Sequence, residues 1–274
     1  VQATIPAMGY TTVSSDTASR PTSNRTVNVD ENTLENGVVR VSLAADGTIA
    51  SIIDISTGRE YLEGSANKLL LWEDLPYSWD AWDVSHYYRE TAPEQARLVE
   101  RRVKLADGLR GTIYQKLAVG DSTIEQLIHL DADSTFVRID NHIEWRETSK
   151  LLKVHAETAI HAETASYEIQ YGTLKRTTHE NTSWDQARFE VAAQRFADLS
   201  RTDAGIALVN DSKYGYSVCG SSLELSLLRS PNAPDPNADR GEHDISYGYV
   251  PHTGTLESSS VLEIAHELNT PILI

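Results

Sequence analysis

Apolar and polar residues alternate along most of the chain, a pattern typical of β-strands that have one buried face. Between residues 137 and 145, apolar side chains occupy four of the five odd-numbered positions, and polar or charged side chains occupy all the even ones. The same alternation predicts strands at residues 38–43, 49–55, 112–119, 122–130, 136–145, 167–171, 205–210, 223–228, 245–250 and 261–268. A short strand is also predicted at residues 3–10. More than ten strands in about 240 residues predict an all-β fold of two large, packed antiparallel sheets, with few or no long helices.

Residues 93–105 are the best candidate for a helix, because Pro93 suits a first helical turn and charged residues would line one face. Val99, Arg101 and Val103 alternate there, however, which favours a strand instead. Two Asp-Gly pairs, at residues 46–47 and 107–108, predict tight hairpin turns, because such pairs accept the positive φ angles that these turns need. Residues 11–26 are rich in Ser, Thr and Asp and are interpreted as a connector.

The chain of 274 residues carries 40 Asp and Glu against 24 Lys and Arg, a formal net charge of -16. This charge repels phosphate backbones, so nucleic acid is not an expected partner. No apolar run approaches the roughly 18 residues of a membrane-spanning helix, so a membrane is not expected either. The single cysteine, Cys219, cannot form an internal disulfide; it is interpreted as a small buried hydrophobe and favours a reducing compartment such as the cytoplasm. The chain begins at Val1 and its one methionine is Met8, so we expect a piece of a longer protein.

The most unusual segment is residues 72–88, which hold three tryptophans, three tyrosines and four carboxylates. Flat aromatic rings can cover the apolar face of a sugar while carboxylates accept hydrogen bonds from its hydroxyls, so Trp79, Asp80, Trp82 and Asp83 are candidate sugar-binding residues. The alternative is structural: both tryptophans would belong to the core, and both aspartates would cap a turn.

A second candidate is the loop at residues 228–243, which three prolines stiffen. Arg229, Asp239 and Arg240 could be presented by this loop at the edge of a site. The alternative is a plain connector that an Arg–Asp pair closes.

A third polar cluster lies at residues 178–185. His179, Glu180 and Asp185 could bind a metal ion or transfer protons. Because Asp and Asn side chains often bond to nearby backbone N–H groups, the sequence favours a loop held together by its own side chains, and no metal site is predicted.

Seven blocks of sequence resemble glycoside hydrolase family 38, in particular its cytosolic and vacuolar α-mannosidase branch and the bacterial relatives of that branch. The blocks are Glu73-Asp-Leu-Pro, Trp79-Asp-Ala-Trp-Asp-Val84, Lys150-Leu-Leu-Lys-Val154, Tyr167-Glu-Ile-Gln-Tyr-Gly172, Thr178-His-Glu-Asn-Thr-Ser-Trp-Asp185, Ala207-Leu-Val-Asn-Asp-Ser-Lys-Tyr-Gly215 and Leu225-Ser-Leu-Leu-Arg-Ser-Pro231. They occur in the family's order between about residues 34 and 271.

This resemblance implies a domain organisation. Residues 1–30 would be the end of a small β domain with its connector, and residues 31–274 would form the family's C-terminal β supersandwich, which is galactose-mutarotase-like. The zinc ion, the aspartate nucleophile and the acid/base carboxylate of the family's retaining mechanism lie in segments upstream of Val1. The resemblance therefore implies no catalytic residue and no cofactor in this segment, with zinc in the parent catalytic domain.

Three functions follow from these observations. The leading one is the C-terminal domain of an α-mannosidase, whose partners are its own N-terminal catalytic domain and a mannose-containing glycan. In the family, loops of the supersandwich reach the rim of the mannose site, and the matching positions are Trp82 and Asp239-Arg240-Gly241. A carbohydrate-binding module without chemistry is the second function. The third is an enzyme similar to aldose epimerases, which would require His142 and Glu144 to lie in a deep pocket.

Overall fold

The computed structural model describes residues 9–12 and 25–272, and most of the regular structure in this part is β-strand. The strands are β1 (Asn28–Val29), β2 (Thr33–Glu35), β3 (Val39–Leu43), β4 (Ile49–Asp54), β5 (Lys68–Glu73), β6 (Glu94–Gln95), β7 (Arg97–Ala106), β8 (Arg110–Val119), β9 (Ser122–Asp131), β10 (Val137–Trp145), β11 (Lys150–Glu157), β12 (Thr164–Ile169), β13 (Gly172–Thr177), β14 (Val191–Ala192), β15 (Phe196–Ser200), β16 (Ala204–Asn210), β17 (Gly215–Cys219), β18 (Ser222–Arg229) and β19 (Gly241–Thr253). The helices are α1 (Ser183–Gln186), α2 (Val261–Asn269) and the 3-10 helices His86–Glu90 and Leu256–Ser258.

Three antiparallel sheets form the domain. Their strand orders are β1-β2-β3-β4, β13-β12-β15-β16-β19-β10-β9-β8-β7 and β14-β17-β18-β11-β5-β6. The alternating apolar residues of all three sheets contribute to one continuous core, in which Ile139 of the nine-stranded sheet and Val154 of the six-stranded sheet are fully buried. The predicted supersandwich of large packed antiparallel sheets is therefore confirmed.

A hydrogen-bonded polar network lies inside this core. The Gln126 side chain is fully buried; its Oε1 accepts from Asn67 at 3.0 Å and from Gln115 at 2.7 Å, and its amide nitrogen donates to Asn141 at 2.7 Å. The Tyr247 hydroxyl donates to the Asn67 side chain at 2.6 Å. Because these buried polar groups form hydrogen bonds with one another, the network links β8, β9, β10 and β19 at no cost from unpaired polar atoms at these contacts.

Most of the strand predictions are confirmed. Nine of the ten segments predicted as strands between residues 38 and 268 overlap observed strands, namely β3, β4, β8, β9, β10, β12, β16, β18 and β19. Residues 93–105 form β6 and β7, so the helix considered there is wrong and the alternation was the better guide. Both Asp-Gly turns are confirmed, with φ of 98° at Gly47 and 84° at Gly108.

Two predictions are wrong. Residues 261–268 form helix α2 instead of a strand, because Val261, Ala265 and their apolar neighbours three and four residues apart pack together on the nine-stranded sheet. Cys219 is exposed instead of buried, since it ends β17 next to the turn at Gly220. The predicted strand at residues 3–10 and connector at 11–26 lie largely outside the described residues, so the boundary at residue 30 stays a prediction.

Candidate functional site

Four large apolar side chains project from the loop that follows β5. They form what we call the aromatic ridge: Leu75, Tyr77, Trp79 and Trp82. Trp79 is 78% exposed and Trp82 is 86% exposed, so the alternative that placed these two rings in the core is wrong. Trp79 has a φ of 60°, and its carbonyl accepts a hydrogen bond from the Trp82 N–H at 2.7 Å, which closes a tight turn. This turn directs both rings away from the core.

Arg229, at the end of β18, anchors the ridge to the six-stranded sheet. Its Nε donates to the Asp74 carboxylate at 2.7 Å, and its terminal nitrogen donates to the carbonyl oxygens of Asp80 at 3.1 Å and Asp83 at 2.9 Å. Asp74 is only 2% exposed, and burial raises its pKa although Arg229 opposes this shift. Arg229 therefore holds the backbone of the ridge through the same guanidinium that neutralises Asp74.

The two aspartates of the ridge bond to backbone groups. The Asp80 carboxylate accepts from the N–H groups of Asn232 and of Ala233, the latter at 3.2 Å, and so joins the ridge to the proline-rich loop. Asp83 accepts from the N–H of Val84 at 2.9 Å. Both carboxylates therefore bond to backbone N–H groups, but only Asp83 does so within its own turn, so the turn-capping alternative fits Asp83 and not Asp80.

The structure separates the two charged residues at the far end of the proline-rich loop. Asp239, with a φ of 60°, faces the cleft described below, and its carbonyl contacts the His243 ring at 2.7 Å. Arg240 instead donates to the carbonyl of Glu147 at 3.1 Å and to the Thr148 hydroxyl. Asp80, Asp83 and Arg229 are therefore brought together, and Asp239 and Arg229 line the same cleft, whereas Arg240 does not line it.

A cleft of about 590 Å³ lies beside the ridge, on the outer side of the six-stranded sheet. We call it the ridge cleft; it is lined by Val84, Leu151, Glu190, Val191, Ala192, Lys213, Tyr214, Gly215, Ser226, Leu227, Leu228, Arg229, Asp239 and His243. Half-buried Val84 and Val191 and exposed Ala192 supply apolar surface, and the exposed Tyr214 ring stands with charged side chains at the edge. Burial lowers the pKa of Lys213, although nearby carboxylates oppose this effect. Apolar surface next to a few hydrogen-bonding groups is the composition that a sugar ring requires.

Sequence reasoning missed several residues of this cleft. Glu190, Lys213 and Tyr214 come from segments that are remote from the ridge in the chain, and cross-strand pairing of β14, β17 and β18 brings them there. Lys213 and Tyr214 lie inside one of the family-like blocks, which was the available signal. Nothing in the local sequence distinguishes Glu190.

The polar cluster at residues 178–185 is held together by its own side chains. Thr182 and Asp185 form a capping box at the start of α1, in which the Thr182 hydroxyl accepts from the Asp185 N–H at 3.2 Å and the Asp185 carboxylate accepts from the Thr182 N–H at 3.2 Å. Glu180 pairs with Arg89 at 2.6 Å. In residues 9–12 and 25–272, no group of three or more His, Cys, Asp or Glu side chains could hold a metal ion. The capping box supports the structural interpretation of this loop.

The pair considered for an epimerase lies on the outer face of the nine-stranded sheet. The His142 side chain is 44% exposed and pairs with Asp244 at 2.9 Å, and the Glu144 side chain is 46% exposed and pairs with Arg146 at 3.0 Å. These two side chains do not lie in a deep pocket, so the condition set for that function is not met. No helix in the described part of the chain is long and apolar enough to cross a membrane.

Comparisons with known proteins show the family to which this chain is similar. The family model described as "Glycosyl hydrolases family 38 C-terminal domain" matches residues 34–237. The chain is 42% identical over 280 aligned residues to Alpha-mannosidase 2C1 of Homo sapiens, with 98% of this chain and 27% of that protein covered. It is 38% identical over 252 residues to an Alpha-mannosidase of Saccharomyces cerevisiae, with 86% and 23% covered. The chain thus spans about a quarter of the length of these curated relatives.

The fold also matches solved structures. An alpha-mannosidase from Enterococcus faecalis V583 superposes with a TM-score of 0.75 at 15% identity, over 89% of this chain and 32% of that chain. At this level of identity the match concerns the fold, and it agrees with the large antiparallel sheets described above.

Proposed function

Because the chain belongs to the family of glycosyl hydrolase family 38 C-terminal domains, we propose that it is the C-terminal β domain of a zinc-dependent, retaining α-mannosidase that removes terminal α-mannose from glycans. The aromatic ridge beside the ridge cleft is the observation that carries this proposal. Large exposed apolar patches mark surfaces where another molecule binds. Here the ridge is next to hydrogen-bonding groups, which suits both a sugar and the rim of a neighbouring catalytic domain.

In this proposal the segment shapes the site and leaves bond cleavage to the N-terminal catalytic domain. Two carboxylates of that domain would act as nucleophile and acid/base. A zinc ion in that domain would help to bind and polarise the sugar hydroxyls. Trp79 and Trp82 would cover the apolar face of a sugar, and Arg229, Asp80 and Asp83 would hold those rings in place. The likeness to the cytosolic branch of the family leads us to propose a cytoplasmic location.

Enzyme assays test this division of labour. The 274-residue chain, supplied with zinc and an aryl α-mannoside, is expected to show no turnover, whereas the full-length protein that carries it is expected to be active. In the full-length protein, Trp82→Ala should raise KM about tenfold with little change in kcat, because the ring contributes to binding in the ground state and the transition state alike. Clear turnover by the 274-residue chain would contradict the proposal.

A carbohydrate-binding module without chemistry is the second candidate, and the composition of the ridge cleft favours it. Titration of the 274-residue chain with mannose oligosaccharides separates the two functions. Saturable binding that Trp82→Ala abolishes would support an independent module. The absence of binding, together with activity of the full-length protein, would support a domain that completes the site only beside its catalytic partner.

A further inference from the structure

A lysine is completely buried on the outer side of the six-stranded sheet. Lys153 lies in the middle of β11, between Leu152 and Val154, which belong to the core. Since successive residues of a strand point to opposite faces, Lys153 faces outward, yet its side chain is 0% exposed. A buried ammonium group is tolerated only when hydrogen-bonded partners of opposite charge surround it. The partners of Lys153 therefore show which parts of the chain it binds together.

The partners of Lys153 come from three separate parts of the chain. Its Nζ contacts the carboxylate of Glu190, lies 2.6 Å from the carboxylate of Glu224 and lies 2.9 Å from the Tyr88 hydroxyl. That hydroxyl in turn donates to Glu190 at 2.8 Å. Burial opposes the charge of Lys153, but the two carboxylates outweigh it and raise the lysine pKa, while burial raises the pKa of Tyr88 to about 12. The cluster therefore contains an ammonium group, two carboxylates and a protonated phenol.

Two of these partners border the candidate site. Tyr88 lies in the 3-10 helix His86–Glu90, which directly follows the aromatic ridge, and its ring packs edge-on against Trp72 at 5.2 Å between centroids. Glu190 lines the ridge cleft, and one of its carboxylate oxygens is buried without a partner among the described residues. The third partner, Glu224, belongs to β18 in the sheet below.

A second cation strengthens the same junction. Arg89 donates to the Tyr88 hydroxyl at 3.3 Å, to the Phe189 carbonyl at 2.9 Å and to the Ser217 hydroxyl at 2.7 Å. The ridge is thus tied to the sheet at two points. Arg229 holds residues 74–83, and the Lys153 cluster holds the helix that comes immediately after them.

We propose that Lys153 is a positioning residue, which fixes the aromatic ridge and one wall of the ridge cleft by binding Tyr88 and Glu190 on top of the sheet. The consequence for catalysis rests on the proposed function. Without the ammonium group, Glu190 and Glu224 would face each other as buried like charges, with the His155 ring as the remaining partner of Glu224 at 2.9 Å. Tyr88 would also lose its hydrogen bond to Lys153. The ridge would then be free to move away from a bound sugar.

Variants of the full-length protein test this role. Lys153→Met removes the charge, and Tyr88→Phe removes only the hydroxyl, which leaves the buried ion pairs and the packing on Trp72 in place. Lys150→Met is the matched control, because Lys150 lies on the same strand in a more exposed pair with Glu73. We expect Lys153→Met to raise KM for an α-mannoside by about tenfold and Tyr88→Phe by about threefold, each with kcat nearly unchanged.

Hydrogen exchange supplies a second readout that does not depend on activity. Amides of residues 75–91 should exchange faster in Lys153→Met and in Tyr88→Phe than in Lys150→Met, while those of β9 and β10 keep their protection. Exchange and KM in both variants equal to those of Lys150→Met would overturn the positioning role. If exchange rises as expected but neither Lys153→Met nor Trp82→Ala changes KM, the positioning role stands and the proposed function of the ridge fails.

Discussion

Arg229→Met is the substitution that should damage the candidate site most directly. Arg229 donates to one oxygen of the Asp74 carboxylate, and Asp74 is only 2% exposed. The second oxygen of this carboxylate has no partner among the described residues. Methionine keeps the aliphatic part of the side chain and removes all three hydrogen bonds of the guanidinium. The variant would leave an uncompensated buried carboxylate beneath the ridge.

The magnitude follows from these contacts. Removing one member of a buried ion pair lowers the free energy of unfolding by about 3–5 kcal/mol. The two bonds to backbone carbonyls would add about 0.5–1.5 kcal/mol each, but those carbonyls lie near the surface and can bond to water. Uptake of a proton by Asp74 would also relieve part of the loss. We therefore expect a decrease of about 3–4 kcal/mol, which corresponds to a fall in Tm of about 6–16 °C for a domain of this size.

Urea unfolding followed by tryptophan fluorescence measures this change. Arg40→Met is the control, since Arg40 pairs with Glu35 at the surface and should lose less than about 1 kcal/mol. The double variant Arg229→Met/Asp74→Leu should recover most of the lost stability, because no buried charge remains unpaired. If Arg229→Met is no more destabilising than Arg40→Met, or if the double variant is less stable than Arg229→Met, the buried pair does not anchor the ridge as described.

Two further predictions concern parts of the domain away from the ridge. Gln126→Leu should lower the free energy of unfolding by about 2–6 kcal/mol, because it leaves one polar atom each of Asn67 and Asn141 unpaired. Gln170→Leu, on an exposed turn, is the control. Equal stability of the two variants in urea would contradict the role of the buried network. Asp244 raises the pKa of His142 above 6.5, so the pair stabilises the fold below that pH and loses its effect as the pH rises through the folded-state pKa. Because His142 is exposed, we expect only a few tenths of a kcal/mol; an NMR titration should show the His142 pKa falling in Asp244→Asn, and an unchanged pKa would exclude the pair as its cause.

Much of the fold could be predicted because burial of one face of a strand leaves a period of two in the sequence. Residues 136–145 show this period clearly and form β10 within the predicted limits. The pattern fails where two periods fit the same residues. Val261 and its apolar neighbours satisfy both alternation and helical spacing. Their packing on apolar residues of β15, β16 and β19 favours the helix.

The candidate site was predictable in part. Trp79 and Trp82 stand out by residue type, because large rings in loops are unusual, and the structure brings Arg229 of β18 to the backbone of the same loop. Whether a tryptophan in a loop is buried depends on what packs over it, and the sequence of the loop does not contain that information. Asp80 illustrates the same limit, because its backbone partners, Asn232 and Ala233, lie 152 and 153 residues further along the chain.

The sequence alone therefore determined the class of fold, most of its strands and the family. The fold class and the strands depend on local periodicity, and the family depends on blocks of local sequence. Only the tertiary structure decided that Lys153 is buried, that Glu190 and Tyr214 border one cleft, and that two cations hold the ridge. Those facts depend on pairing between strands far apart in the chain, where the energy of a buried charge is determined by neighbours that no local pattern identifies.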